Sequence, residues 1–331
     1  MWFESLTGFR EENAEQVRSN IVVDGETMTS TANGREMACG RLETPTLAEL
    51  RSRARANNQP KGSLSLSEVI GDVQKLHLDP ANAGALFQVA SQFNLLEMVS
   101  PSVTPENGVT IYENDRTQGP ACAIACGAGT IYRNYFATVD GQLGQSSDNQ
   151  IDCLRDLGQA LGNTDERLWA MRNGYALATA EGLREISAQL SSAGESERDA
   201  LRQMLRIGIH SGTQVTLDGA SHAVSQTYCS ALPVAYSVHT EDLWADFAQL
   251  VLEAAYEATI CAAILNCRET RNNELFLTLL GGGAFGNRDD WIFTAIERAL
   301  TQFADVLLDV SIVSYGASKP RVQELVRRLQ Q

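Results

Sequence analysis

The fold is decided by one stretch of sequence, Leu275-Phe-Leu-Thr-Leu-Leu-Gly-Gly-Gly-Ala-Phe-Gly-Asn-Arg-Asp-Asp-Trp291. Its apolar run from Leu275 to Leu280 predicts a buried strand, and a helical pattern begins near Asp289. A strand, a glycine-rich turn and a helix in this order are typical of open α/β sheets, which bind ligands where strands end and helices begin. We therefore expect an α/β protein with its binding site at this turn.

The turn has the composition of an anion site. Glycine has no Cβ, so the main-chain N–H groups of the turn can approach a ligand closely. N–H groups of such turns and of helix N-termini favour anions, phosphates above all. Phe285 adds an apolar face on which a sugar could pack. The turn therefore predicts a phosphate-bearing ligand over Gly281, Gly282, Gly283 and Gly286; the alternative is a tight turn without a ligand.

Composition narrows the class of protein. The 331 residues are 44% hydrophobic and 20% charged, enough for a sizeable core, and the net charge of −15 argues against nucleic acid or an anionic membrane as a partner. The seven cysteines include no CxxC pair, which favours reduced thiols over disulfides or a zinc site. No unbroken apolar run approaches 18 residues, and acids occupy the N-terminus where a signal peptide needs an apolar core. We expect a cytoplasmic monomer.

Two segments flank or interrupt the main domain. Residues 1–62 form an N-terminal extension, with a hairpin turn at Asn33-Gly34 and a capping box between Thr46 and Glu49. Residues 63–331 form the main domain, with a mainly helical insertion at about 141–205. No chemistry is visible in the extension, and no catalytic signature in the insertion.

The main domain alternates strands and helices. Strands are predicted at 66–73, 85–90, 207–217, 222–236 and 309–315, beside the strand of the opening stretch. Helices are predicted from Pro120 at the first helical position to Tyr135, from the N-cap Thr240 to near Cys267, at 289–307, and from Ser318 onward. This alternation predicts a sheet with helices on both faces.

Three stretches, in order, resemble the macrodomain family of ADP-ribose-binding α/β/α modules. They are Val69-Ile-Gly-Asp-Val73, Val89-Ala-Ser-Gln-Phe-Asn94 and Leu280-Gly-Gly-Gly-Ala-Phe-Gly286. The resemblance covers roughly 64–136 and 222–316, and implies a three-layer sandwich with a mixed central sheet. It implies that Asp72 accepts a hydrogen bond from the adenine amino group and that Asn94 lies near the distal ribose. The loop that includes Ala284 would hold the diphosphate, with Phe285 facing the ribose.

The sequence departs from the family after Asn94. The usual glycine-rich catalytic loop is replaced by an acid-rich stretch from Glu97 to Pro120. That stretch is more similar to divergent branches that hydrolyse ADP-ribose linkages with carboxylates, including a bacterial effector type that removes ADP-ribose from ubiquitin. The resemblance therefore implies ADP-ribose or an ADP-ribosylated protein, ubiquitin among the candidates, as the partner.

Carboxylates of the acid-rich stretch are the candidate catalytic groups. Hydrolysis at the anomeric carbon needs a stabilised oxocarbenium charge and an activated water, and carboxylates supply both. We expect Asp115 first as base or ribose anchor, Glu106 second, and Glu97 as a residue that holds the loop together. Glu113 fits a solvated loop better than a catalytic role.

Other polar residues divide between binding and structure. Gln118 and Gly119 are expected near the diphosphate at the start of a helix, and Tyr315 either stacks on adenine or belongs to the core. Structural interpretations are preferred for the following residues: Asp289 and Asp290 as helix caps, Cys122 and Cys126 as packing, and the isolated His77, His210, His222 and His239.

Three functions are compatible with these patterns. The first is an ADP-ribosyl hydrolase that uses neither metal nor cofactor, favoured by the acids of the loop. The second is a non-catalytic reader of ADP-ribose, because fold and pocket would be shared. The third is a docking protein whose glycine loop is only a turn.

Overall fold

The computed structural model describes residues 1–56 and 62–329. Its strands, numbered in chain order, are β1 (Ile21–Asp24), β2 (Thr27–Ser30), β3 (Glu36–Ala38), β4 (Arg41–Glu43), β5 (Ser65–Ile70), β6 (Leu86–Ala90), β7 (Thr138–Val139), β8 (Gln142–Leu143), β9 (Trp169–Arg172), β10 (Tyr175–Ala178), β11 (Gly208–Gln214), β12 (Ala223–Cys229), β13 (Glu274–Leu277) and β14 (Asp309–Ser314). Its α-helices are α1 (Trp2–Thr7), α2 (Ala14–Asn20), α3 (Leu47–Arg55), α4 (Val73–Leu78), α5 (Gln118–Ala125), α6 (Gly127–Tyr135), α7 (Arg155–Leu161), α8 (Ala180–Ser192), α9 (Glu195–Arg202), α10 (Glu241–Thr270), α11 (Asp289–Gln302) and α12 (Pro320–Leu329).

A mixed sheet of seven strands forms the centre of the described chain, in the order β4-β11-β12-β6-β13-β14-β5. The five strands from β12 to β5 are mutually parallel, while β11 is antiparallel to both of its neighbours, β12 and β4. Parallel strands are buried on both faces, which is why β6 is almost continuously apolar.

Successive residues of β6 show that helices cover both faces of the sheet, because side chains alternate along a strand. Phe87 stacks on His77 of α4, with ring centroids 3.8 Å apart. Gln88 points the other way and donates from Nε2 to Oγ1 of Thr259 in α10, at 3.0 Å. The predicted α/β class, a mixed sheet between helical layers, is confirmed.

The core helix α10 is the longest element, at 30 residues. It is long and apolar enough to cross a membrane by length and composition, but 83% of its most apolar 18-residue window is buried inside the protein. Acids interrupt the helix in the sequence, so no unbroken apolar run is present there. One of them, Glu257, is buried because arginines of two neighbouring helices pair with it.

The N-terminal region was expected to be an extension packed on the main domain, and two of its elements also form part of that domain. The hairpin at Asn33-Gly34 joins β2 to β3, and the capping box of Thr46 and Glu49 begins α3; both predictions are confirmed. However, β4 is an edge strand of the main sheet and α3 packs on α10. Residues before β4 pack in a second hydrophobic cluster with α6. The predicted boundary near residue 62 stays a prediction, since it adjoins residues outside the described ranges.

The bounds of several predicted elements differ in the structure, and the predicted insertion contains more than helices. The helix predicted from Pro120 begins at Gln118 and breaks at Cys126, whose φ of −114° and ψ of 61° are not helical, so α5 and α6 are separate. The helix predicted to end at 307 ends at Gln302. The insertion contains the hairpin β9–β10 as well as helices, because Asn173 and Gly174 both adopt positive φ and turn the chain.

We predict that the buried ion pairs of Glu257 stabilise the contact of α3 and α11 with α10. Its side chain is 2% exposed and binds Nη2 of Arg51 and Nη1 of Arg298, each at 2.8 Å. Glu257→Ala leaves Arg51 with Asp199 alone and leaves Arg298 with only longer contacts to Asp199 and Glu253, so the free energy of unfolding should fall by about 3 kcal/mol. Urea unfolding measures this loss.

Glu269→Ala is the matched control on the same helix. Its side chain is 58% exposed and lies 3.5 Å from Arg41, and such surface pairs contribute about 0–1 kcal/mol. Equal losses in the two variants would contradict the account.

Candidate functional site

A cavity of about 740 Å³ lies at the carboxyl ends of five neighbouring strands. This is the edge at which open α/β sheets bind ligands. Each strand is followed by a residue that lines the cavity: Ala231 after β12, Ser91 after β6, Leu280 after β13, Tyr315 after β14 and Asp72 after β5.

The cavity enters the sheet where β6 and β13 separate. Their pairing stops at Phe87 and Phe276. Beyond that point the side chain of Gln118 pairs with β6 in place of a strand: Nε2 donates to the Gln88 carbonyl at 2.8 Å, and Oε1 accepts from the Ala90 N–H at 2.9 Å. Gln118 lines the cavity as expected, but both ends of its amide are used to fix the start of α5.

The glycine loop after β13 presents unpaired N–H groups. Within the described part of the chain, the N–H groups of Gly281, Gly283, Ala284 and Phe285 have no hydrogen-bond partner. Gly281 has φ +75°, and a Cβ there would lie 2.4 Å from Cβ of Ala231, so glycine is required. The loop lines the cavity from 281 to 285 and is suited to an anion.

Buried side chains hold this loop from below. The hydroxyl of Tyr256 accepts from the N–H of Leu280 at 2.8 Å. Asn287 is 4% exposed and donates from Nδ2 to the Leu232 carbonyl at 2.8 Å. Gly286, with φ +69°, closes the turn and lies outside the cavity lining. The loop is therefore fixed before any ligand binds, which lowers the entropy cost of binding.

Glu97 is a buried carboxyl group at the cavity wall. It is 3% exposed, and its Oε1 has no partner among residues 1–56 and 62–329. Burial raises the pKa of Glu97 well above the usual range; the charge of Asp115 raises it further, while the Arg133 guanidinium opposes this. A carboxyl group with a raised pKa at the wall of a cavity is a candidate general acid.

Asp115 is the second acid of this wall, half-buried at the end of a 3₁₀ turn, Thr110–Asn114. Its Oδ1 accepts from the Thr117 N–H at 2.8 Å, which leaves the second carboxylate oxygen, Oδ2, for other contacts. Tyr112 of the same turn accepts from the Glu97 N–H at 3.0 Å. One turn therefore fixes both acids.

Arg133 is a buried cation whose charge acts on Glu97. Its side chain donates to the Leu95 carbonyl at 3.1 Å and to Thr130 Oγ1 at 2.9 Å, and lies 3.7 Å over the ring of Tyr228. In the described ranges, no group of three or more His, Cys, Asp or Glu could hold a metal ion.

Besides Gly286, two predicted site residues lie outside the cavity lining. Glu106 is exposed and accepts from the N–H of Ser147 at 2.7 Å, so it connects the acid-rich stretch to the insertion. Asn94 is fully buried: its Nδ2 donates to Gln150 at 2.8 Å and its Oδ1 accepts from the Leu96 N–H at 3.1 Å. Their side chains are occupied by loop packing.

The opposite end of the cavity contains Asp72 and Tyr315. Asp72 caps α4, with Oδ1 accepting from the Gln74 N–H at 2.8 Å. Tyr315 is 80% exposed, which excludes the core alternative for this ring. Lys319 at the start of α12 also lines this end, although the sequence analysis did not single it out.

The insertion contributes an aromatic residue that sequence analysis missed. Tyr175 of β10 lines the cavity and donates to the Met98 carbonyl at 2.6 Å. Its ring centroid lies 5.3 Å from that of Phe285 and 5.0 Å from that of Tyr236. The Asn173-Gly174 turn could have predicted the hairpin, but no local signal indicates where its Tyr175 lies.

Comparison with known proteins gives only slight likeness. No protein-family model matches the sequence, and no curated protein matches it. Among solved structures, the chain is similar to poly(ADP-ribose) glycohydrolase from Deinococcus radiodurans in complex with ADP-ribose, at 12% identity and a TM-score of 0.44, over 97% of this chain and 98% of that one. It is also similar to poly(ADP-ribose) glycohydrolase from Thermomonospora curvata bound to the inhibitor ADP-HPD, at 11% identity and a TM-score of 0.45, over 98% of each chain. Likeness at this level does not show what this chain does.

We predict that Glu97 makes stability depend on pH in a definite direction. Since burial raises the pKa of Glu97 in the folded state, the folded chain holds this proton at pH values where the unfolded chain has lost it. Stability is therefore lost as pH rises above about 4.5, the ordinary glutamate value, toward the folded pKa.

Glu97→Gln removes this titration while the other carboxylates remain. The free energy of unfolding of Glu97→Gln, minus that of the wild type, should rise between about pH 5 and pH 8. Urea unfolding across this range measures it. If this difference in the free energy of unfolding stays constant or falls as pH rises, the pKa of Glu97 is not raised in the folded state.

Proposed function

We propose that the chain binds ADP-ribose across this cavity and hydrolyses the bond between the distal ribose and a modified protein. One observation carries the proposal: a loop of unpaired N–H groups and a buried, unpartnered carboxyl group, Glu97, line the same cavity. The first favours a diphosphate and the second favours proton transfer. The sequence resemblance to macrodomains supplies the identity of the ligand.

The order of the subsites supports this ligand. Asp72 follows β5 and Ser91 follows β6, with β14 and β13 between them, so three strand spacings, about 14 Å, separate the two ends. The N–H groups after β13 lie between those ends. Adenine at Asp72 and Tyr315, diphosphate at the glycine loop, and distal ribose at Glu97 and Asp115 follow the order of groups in ADP-ribose.

The two acids would divide the reaction between them. Oδ2 of Asp115 takes a proton from the attacking water as the water oxygen bonds to the anomeric carbon. The bond from that carbon to the modified side chain breaks, and Glu97 donates its proton to the leaving atom. Protons and charges balance, and a water must then return a proton from Asp115 to Glu97. Glu97 thus takes the acid role, beyond the loop-holding role expected from the sequence.

The buried acid favours a hydrolase over a reader. Burial of a carboxyl group without a hydrogen-bond partner costs free energy, and binding of ADP-ribose alone needs no such group. We extend the proposal to a modified protein as substrate, with ubiquitin as the candidate that the resemblance to the effector branch implies.

We predict that ADP-ribose binds through the glycine loop. Gly282 has an ordinary φ, and a Cβ there would lie 3.1 Å from Cδ1 of Ile292, a tight contact that a small shift of this side chain would relieve. Gly282→Glu places a negative charge beside the diphosphate and should weaken binding by about 100-fold or more, since like charges repel strongly at a binding site. Calorimetric titration measures this.

Gly282→Gln is the control, because it has the same size without the charge and should bind within about 10-fold of the wild type. No heat with the wild type would sink the proposal. Equal losses in the two variants would refute the diphosphate position.

We predict that Asp115→Asn lowers kcat by about 100-fold or more, since a positioned base contributes about that factor. Asn keeps the Oδ1 that accepts from Thr117, so binding of ADP-ribose should be retained. The measurement is release of ADP-ribose from ADP-ribosylated ubiquitin, with the exposed Asp148→Asn as control. A wild type that binds ADP-ribose but releases none from any modified protein tested would instead support the reader.

A further inference from the structure

Glu11, in the N-terminal region, has its carboxylate on the acidic loop. Its Oε1 accepts from the Val109 N–H at 2.9 Å and from the Tyr135 hydroxyl at 2.7 Å, and its Oε2 accepts from the Thr110 N–H at 2.7 Å. Charged acceptors make the stronger hydrogen bonds of proteins. Three donors therefore bind the carboxylate of Glu11, although they lie about 100 residues or more after it in the sequence.

The loop backbone is shaped to receive this carboxylate. Gly108 has φ +80°, and a Cβ at this position would lie 2.5 Å from Oε2 of Glu11. Any larger residue would push the carboxylate away from the N–H groups that follow. Glycine at 108 is thus required by the approach of Glu11 as well as by the backbone angle.

The segment that Glu11 binds, Val109 and Thr110, is connected to both Asp115 and Glu97. Thr110 begins the 3₁₀ turn that ends next to Asp115, and Tyr112 in its middle accepts from the N–H of Glu97. A shift at Val109 and Thr110 would therefore move both carboxyl groups relative to the cavity.

A second contact from the same N-terminal region supports the loop. The N–H of Trp2 donates to Oε2 of Glu113 at 3.2 Å, and the Trp2 side chain lines the cavity. Residues 2–11 thus contact the 3₁₀ turn of residues 110–114 at two places, one on each side of Tyr112.

We propose that Glu11 is a positioning residue for the reaction, acting through the turn of residues 110–114 on Asp115 and Glu97. The inference rests on the proposed function. The glycine loop and the adenine end belong to β13, β14 and β5, so loss of Glu11 leaves the contacts for diphosphate and adenine unchanged. Glu11 consequently governs turnover more than affinity for ADP-ribose.

The test compares Glu11→Gln with Glu12→Gln. Glutamine at position 11 has the size of glutamate, but its NH₂ group would face a hydrogen-bond donor where a carboxylate oxygen now accepts. Glu12 is exposed, and its carboxylate has no partner in the described part of the chain. Glu11→Gln should lower kcat by about 10- to 100-fold, the effect of a small misplacement of catalytic groups. Its Kd for ADP-ribose should stay within about threefold of the wild type, and Glu12→Gln should match the wild type.

Hydrogen exchange provides a readout that needs no turnover. The amides of 109–117 should exchange about 10-fold faster or more in Glu11→Gln, with the central sheet unchanged. Unchanged exchange or unchanged kcat would overturn the inference, as would parallel loss of kcat, affinity and melting temperature, which indicates a general structural role. A wild type without hydrolase activity would refute the proposed function and with it the catalytic role of Glu11, while the exchange result would still decide whether Glu11 holds the loop.

Discussion

The separation of β6 from β13 beyond Phe87 and Phe276 is the constraint on which the site depends. Two parted strands leave backbone N–H and C=O groups that must find other partners. The Gln118 side chain satisfies those of β6, and this brings the start of α5 onto the sheet. The approach is so close that a Cβ on Gly119 would lie 2.1 Å from the Ala90 carbonyl oxygen and 2.2 Å from Oε2 of Glu97. The same contact that opens the cavity therefore places a carboxyl group at its wall.

The electrostatics of the cavity follow from what is buried around it. Glu97 and Arg133 are both buried without an ion pair between them. Arg133 donates to Leu95 and Thr130 instead, whereas the Oε1 of Glu97 has no partner in the described ranges, and such burial costs stability. The glycine loop adds dipoles that favour negative charge without adding a charged side chain. A chain with a net charge of −15 can thus offer an anion site, because the local N–H groups, and not the overall charge, face the ligand.

Local patterns in the sequence predicted the parts of the fold that depend on local interactions. Strand β6, helix α10, the capping box of α3 and the glycine turn at 281 each follow from periodicity or turn chemistry within a few residues. The parts that depend on distant contacts were not predictable. Tyr175 reaches the cavity from an insertion, Glu106 turns away toward Ser147, and Glu11 holds a loop about 100 residues distant. Several acids between Glu97 and Pro120 could be named from the sequence as catalytic candidates. Only the burial seen in the structure distinguishes Glu97 from the others.

A crystal structure of the protein with ADP-ribose would show whether this cavity holds the ligand as proposed. Diphosphate oxygens should lie within about 2.7–3.2 Å of the unpaired N–H groups between Gly281 and Phe285, the ordinary N–H···O range. The anomeric carbon of the distal ribose should face Glu97 and Asp115, with adenine beside Tyr315. ADP-ribose bound elsewhere, or bound with its distal ribose at the Tyr315 end, would refute the proposed function of the cavity.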